Sequence, residues 1–320
     1  MLKSACLGLL SLAAASAHSL AVAAEYPTRQ IEIVAGYAAG GGMDVLARYF
    51  GDRLARLSGK PVVVMNKPGA NGNLAAQEVA QARPDGHKLL WAATSTYASN
   101  QFLFKNLPFD ARRDLRIVST AVEYGFLLVT KADPAVATVD DLKKAVSGKA
   151  KTVYGASGST TMAAGEMFKQ MTGVKATFVA YKTAQDVMRD VSAGELDFGV
   201  VDATAGLARA RQGGLKPLAV TMSRRMNAAP EIPTFEEAGV KGYELNGWMA
   251  VSAPAATPDA IAAQLNAWMK EIVDMPETSA FLKTAVSEPF WLEPAKIAPF
   301  VDAQTEKWRK VISDAGIQPQ

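Results

Sequence analysis

Ile31-Glu32-Ile33-Val34-Ala35-Gly36-Tyr37-Ala38-Ala39-Gly40-Gly41-Gly42-Met43-Asp44 passes from an apolar run through a glycine-rich loop into a segment of helical period. Val45, Leu46, Tyr49, Leu54 and Leu57 recur on one side as far as Ser58, so the stretch reads as strand, loop, helix. Val62 to Met65 is the next strand. After the turn at Lys67-Pro68-Gly69, 71–82 reads as a helix and Lys88 to Ala93 as a third strand. Short apolar runs alternating with helical periods are the pattern of βαβ units, so the expectation is an α/β lobe on a largely parallel sheet.

A second cycle starts at Phe126 to Thr130 and runs through a helix at Val139 to Ser147 to a strand at Thr152 to Gly155. Helices at Met162 to Thr172, Ala184 to Ala193 and Ala205 to Gln212 then alternate with strands at Ala176 to Tyr181, Leu196 to Val201 and Leu215 to Thr221. Pro230, Pro233, Gly239 and Gly242 mark an irregular connection before a short run at Val251 to Ala253, and three helical segments end at Ala315. The chain therefore divides into a first lobe of 25–125 and 250–320 and a second lobe of 126–249. The crossings fall near Glu123 to Phe126 and Asn246 to Val251, in the manner of a cleft-and-hinge molecule.

The amino terminus has Lys3, then an apolar stretch from Leu7 to Leu20, then Ala21-Val22-Ala23-Ala24, which predicts a signal peptide over 1–24 cut after Ala23 or Ala24. The mature chain is thus expected in the periplasm. Cys6, the single cysteine, goes with the leader, which removes thiol nucleophiles, disulfides and thiolate metal sites. A net charge of +3 with scattered Lys and Arg gives no nucleic-acid signal. Of two histidines, His18 lies in the leader and His87 in a turn, which leaves little for a zinc site or a Ser-His-Asp triad.

Two loops sit where a strand gives way to a helix: Gly36 to Asp44, and Gly155-Ala156-Ser157-Gly158-Ser159-Thr160-Thr161-Met162. Ligands of open α/β sheets bind at the carboxyl ends of strands, and a helix start offers unpaired N–H groups and positive partial charge to a small anion. Such glycines also make tight turns, and Asp44 also suits a helix cap; two such loops in a two-lobed chain favour a carboxylate or phosphate cradle. Walker A, dinucleotide and G-x-S-x-G patterns are all missed, the last because Ser159 stands where glycine belongs.

With Ala39-Gly40-Gly41-Gly42-Met43-Asp44, Asn66-Lys67-Pro68-Gly69-Ala70-Asn71-Gly72-Asn73, Pro84-Asp85-Gly86, Leu107-Pro108-Phe109-Asp110, Tyr181-Lys182, the block from Ala229 to Gly239 and Ala253 to Pro258, the chain resembles the Bug family, the extracytoplasmic solute receptors of tripartite tricarboxylate transporters. The resemblance implies a type II periplasmic-binding fold, two doubly wound lobes closing on a ligand carboxylate. Carried over by position, the ligand-binding set is Tyr37, Ala39, Gly40, Gly41, Gly42, Asp44, Thr96, Tyr97 and Asn100 from the first lobe. Ser157, Ser159, Thr160, Tyr181 and Asp202 come from the second. Tyr97 and Met162 stand where the family commonly has His, and Gly36 and Ala39 where prolines are frequent, which bears on the ligand more than on the fold.

The reading is a monomeric carrier of a small aromatic, dicarboxylic or tricarboxylic acid, passing it to membrane permease subunits. It implies no catalysis, no cofactor, no metal and no nucleic-acid partner. A ligand-dependent partner of a membrane receptor kinase is the alternative, and a hydrolase the weakest reading. No Arg lies in either loop, so aromatic faces at Tyr37, Tyr97 and Trp248 lead to an expected ranking of aromatic or medium-chain acids above citrate.

Overall fold

The computed structural model describes residues 26–319, so the expected leader lies outside the described residues. Along the chain come β1 (Ile31–Ala35), α1 (Gly42–Ser58), β2 (Val62–Asn66), α2 (Asn73–Ala80) and β3 (Lys88–Ala93), then a π-helical turn (Ser95–Ser99) running into α3 (Asn100–Leu103), and β4 (Leu115–Tyr124). One residue later the second sheet begins, with β5 (Phe126–Lys131), α4 (Val139–Val146), β6 (Val153–Ala156), α5 (Ser159–Thr172), β7 (Thr177–Ala180), α6 (Ala184–Ala193), β8 (Phe198–Asp202), α7 (Ala203–Arg211) and β9 (Leu215–Val220). The chain then returns through β10 (Gly247–Pro254), α8 (Asp259–Asp274), α9 (Pro276–Thr284), β11 (Glu288–Pro289) and α10 (Pro294–Asp314).

The strands form two separate sheets, ordered β11-β4-β10-β3-β1-β2 and β7-β6-β8-β5-β9. Each is mixed, which corrects the expectation of a largely parallel sheet. β1 pairs parallel with β2 and β3, but β10 runs antiparallel to both β3 and β4. β6 is parallel to β7 and β8, whereas β5 is antiparallel to β8 and β9. The crossing strands cause this: β10 and the short β11 enter the first sheet against the βαβ direction, as β5 does the second.

Local chemistry sets the helix limits. Gly59 ends α1, Gly173 ends α5 and Gly194 ends α6, each in the left-handed region where glycine lacks the Cβ penalty. Thr138 opens α4 through a reciprocal capping box with Asp141, and Thr183 and Asp202 cap α6 and α7.

Each sheet is covered on both faces. α1 and α8 pack one face of the first sheet through Leu46, Phe50, Leu265 and Met269, and α2 with the first half of α10 packs the other through Val79, Ile297 and Val301. The second half of α10 leaves that lobe: Trp308, Val311 and Ile312 join Tyr154, Phe168 and Phe198 in the core of the second. No helix among the described residues is long and apolar enough to cross a membrane.

Candidate functional site

Strand register alone brings the two rims together. Ala35 is level with Trp91, Ala93 with Met249, and Gly247 with Tyr124, so the ends of β1, β3 and β4 and the start of β10 share one edge of the first sheet. In the second sheet Phe126 is level with Asp202, and Ala156 with Val200, which puts the ends of β6 and β8 beside the start of β5. Only Gly125 separates Tyr124 from Phe126, so the two edges adjoin. The Gly36 and Gly155 loops rise from these edges.

Both loops feed helices that lack a side-chain cap, with Gly41 and Gly158 at the cap position. The first turn of α1 closes with Val45 N–H to Gly41 O at 3.0 Å, leaving the amides of Gly42, Met43 and Asp44 without an intrahelical acceptor. In α5 the corresponding bond is Met162 N–H to Gly158 O at 3.0 Å, which leaves Ser159, Thr160 and Thr161. Six amides and two positive helix ends therefore bound the cleft, a donor set suited to an anion.

Several expected site residues play other parts. Asp44 is 2% exposed, and its carboxylate accepts from Gly40 N–H at 2.8 Å, Asn66 Nδ2 at 2.7 Å and Arg48 Nε at 3.0 Å. Burial alone would raise its pKa, but the bonds from Arg48, Asn66 and Gly40 outweigh it and hold the carboxyl below its ordinary value. Asp44 thus shapes the loop, and the Gly40 N–H is already taken. Asn66 Nδ2 also donates to Tyr37 O at 3.1 Å, which ties the loop's first half to β2. Ala39, Gly41 and Gly42 stay exposed at the rim.

Tyr97 is a plain correction. It is 1% exposed, stacks on Trp248 with ring centroids 5.4 Å apart, and its hydroxyl pairs with Ser252 Oγ in mid-sheet. Trp248 is fully buried in the same cluster, so neither ring faces the cleft. Asn100, also fully buried, donates through Nδ2 to Asn71 O and Asn73 Oδ1 and accepts from Asn71 Nδ2, bracing the turn before α2. Tyr181 gives its hydroxyl to Asp190 Oδ2 at 2.7 Å; burial and that carboxylate push its pKa up to about 12. Asp202 accepts from Ala205 N–H at 2.8 Å as the cap of α7.

Other expected site residues keep their groups free. The Thr96 hydroxyl, 3% exposed, has no partner, and it lies 3.0 Å from where a Cβ on Gly72 would be. Gly36 in turn has no room for a Cβ, which would fall 2.8 Å from Gly72 Cα, so the first loop starts directly against this turn. Ser157, Ser159 and Thr160 are half-buried at the start of α5. Tyr37 accepts from Ala93 N–H at 2.9 Å and keeps its own proton to donate. Burial, with Tyr124 nearby, holds that proton on by raising the pKa well above 10.0.

Residues 46–317 match the tripartite tricarboxylate transporter family receptor, TctC. The chain belongs to this family. A UPF0065 protein of Bordetella bronchiseptica is 31% identical, the match covering 93% of this chain and 89% of that protein. The structure of R. palustris Rpa4515 with adipate superposes with a TM-score of 0.79 at 32% identity, covering 92% of this chain and 100% of that one. MatC from Rhodopseudomonas palustris with bound malate gives 0.73 at 26% identity, covering 90% and 100%. The family is one of solute receptors, and the fold is its two-lobed periplasmic-binding architecture.

Three residues around the loops were not singled out from the sequence. Asn66 lay in a family block, but nothing in its spacing marks it as the clamp of the glycine loop. Gly72 lay in the same block, and its close approach to Gly36, like the place of Tyr124 over Gly247, becomes visible only through packing. Among the described residues no cluster of His, Cys, Asp and Glu could hold a metal ion. A surface hollow of about 710 Å³ between Thr138, Leu207, Leu218 and Pro233 includes neither uncapped helix start.

Proposed function

We propose that this receptor captures a small dicarboxylate in the periplasm and delivers it to the membrane subunits of a tripartite tricarboxylate transporter. One carboxylate is held by the amides of Gly42 to Asp44 and of Ser159 to Thr161, with the hydroxyls of Thr96, Ser157, Ser159 and Thr160 around it. The observation that carries this reading is the pair of uncapped helix starts on adjoining sheet edges; α4, α6 and α7 are closed by their own side chains, while α2, α8 and α10 also lack a side-chain cap. Adipate and malate in the related structures support the acid class. With Tyr97 and Trp248 buried, Tyr37 alone of the three rings is left to support ranking aromatic acids first.

Segments 26–125 and 250–301 act as one lobe and 126–249, joined by the end of α10 from Trp308, as the other, closing on the ligand about Tyr124 to Phe126 and Asn246 to Gly247. A thermal-shift screen of the mature chain against mono-, di- and tricarboxylates tests the proposal. A ligand at about 100 times its dissociation constant stabilises the native state by roughly 2.7 kcal/mol. Linear dicarboxylates are expected to raise Tm; no response to any carboxylate overturns the function.

A further inference from the structure

Tyr124 stands where the two lobes join. Its ring packs against the first-lobe core, at whose margin Tyr37 and Met43 also lie, and against the second-lobe core, at whose margin Met162 lies. Met43 and Met162 are in the first turns of α1 and α5, so Tyr124 joins the same two cores that the helix starts pack against. The ring lies over Gly247, where a Cβ would fall 2.3 Å from its Cε2 and Cζ, and stands edge-on to Phe126 at 5.8 Å. The position is therefore held from below and from the side.

The hydroxyl is a different matter. Tyr124 is half-buried, and no hydrogen bond to its hydroxyl is made among the described residues; burial is the one cause acting on its pKa, and it keeps the phenol protonated. A half-buried hydroxyl without a protein partner is free to donate to a ligand. The ends of β1 and β4 are three strand spacings apart, roughly 14 Å. The two phenols narrow that gap from opposite sides: the Tyr37 hydroxyl reaches Ala93 on β3, and the Tyr124 ring covers Gly247 on β10. Tyr124 lies near enough to Tyr37 to help raise the pKa of its phenol. Two O–H donors that keep their protons thus lie along the adjoining edge of the first sheet, one at β3 and one at the β4–β10 pair.

We infer that Tyr124, assisted by Tyr37, binds the second carboxylate of a linear dicarboxylate whose first carboxylate sits at the helix starts. The inference rests on the proposed function and names the residue that separates a dicarboxylic from a monocarboxylic acid. A carboxylate accepts from two phenols at once, and such charge-assisted bonds are stronger than neutral ones.

Calorimetry with adipate and hexanoate, on the mature protein and on Tyr124→Phe, tests it. The variant keeps the ring over Gly247 and loses only the hydroxyl. The unaltered protein is expected to hold adipate about tenfold or more tighter than hexanoate, and Tyr124→Phe to weaken adipate by about tenfold while hexanoate stays within about twofold. Unchanged adipate affinity in the variant, or equal weakening of both acids, overturns this inference and leaves the carboxylate site standing. Binding of neither acid by the unaltered protein overturns both.

Discussion

The buried carboxylate of Asp44 accepts the backbone N–H of Gly40 at 2.8 Å, four residues before it in the chain. Together with Asn66 and Arg48 it fixes the glycine loop before any ligand arrives. Asp44→Ala should cost about 1–3 kcal/mol of stability, because the Gly40 N–H and the Asn66 amide lose their acceptor. It should also weaken ligand binding by about tenfold or more through loss of preorganisation. The native carboxyl is held below its ordinary value of 3.8, so its contribution is complete above that pH and is lost as the pH falls below it. Denaturant midpoints at pH 7 and pH 3 should therefore differ more for the wild type than for Asp44→Ala.

Gly41→Asp puts the preferred type of helix cap at the start of α1. The new carboxylate would accept from the Met43 or Asp44 amide, the groups assigned to the ligand. Binding should be abolished while thermal stability holds or rises. Retained affinity by calorimetry would show that the anion sits elsewhere.

Tyr97→Phe removes a hydroxyl that serves Ser252 in the first-lobe core. A loss of about 1 kcal/mol in unfolding free energy is expected, with ligand affinity unchanged. A drop in affinity without a drop in stability would return Tyr97 to the cleft.

Arg224 reaches from the second lobe to Glu123 at the end of β4 and lies 3.7 Å from Glu288. Asn246 Nδ2 also donates to Glu123 at 3.1 Å, and Asn227 N–H to Glu288 at 2.7 Å. Both carboxylates are buried, so Arg224→Ala leaves them with amide donors alone. The cost should be about 1–3 kcal/mol, below that of a fully buried pair because Arg224 is half-exposed. Chemical denaturation measures it, and small-angle scattering of the ligand-free variant should give a larger radius of gyration as the seam loosens.

The alternation of strands and helices was legible because most strands are apolar runs bounded by turns, and most predicted ends fall within a few residues of those observed. β4 was not, because Ser119, Thr120 and Glu123 interrupt its apolar pattern although all three are buried between neighbouring strands. β10 showed only Val251 to Ala253, since Gly247 and Ser252 dilute a strand that is buried along its whole length. Missing these two strands hid the antiparallel half of the first sheet. In the site, the loops could be read from glycine placement beside strand ends. Whether Tyr97 points into the core or the cleft depends on the π-helical turn that carries it, and a one-residue change of helical phase leaves no mark in composition.

One carboxylate shared by the amides of two opposed helix starts must perturb both sets on binding. Amide-resolved NMR of the isotopically labelled mature protein, titrated with adipate, reads those groups directly. The largest shift changes and the greatest slowing of hydrogen exchange are expected on Gly42, Met43, Asp44, Ser159, Thr160 and Thr161 together. Saturation that leaves either set of three unmoved would contradict it.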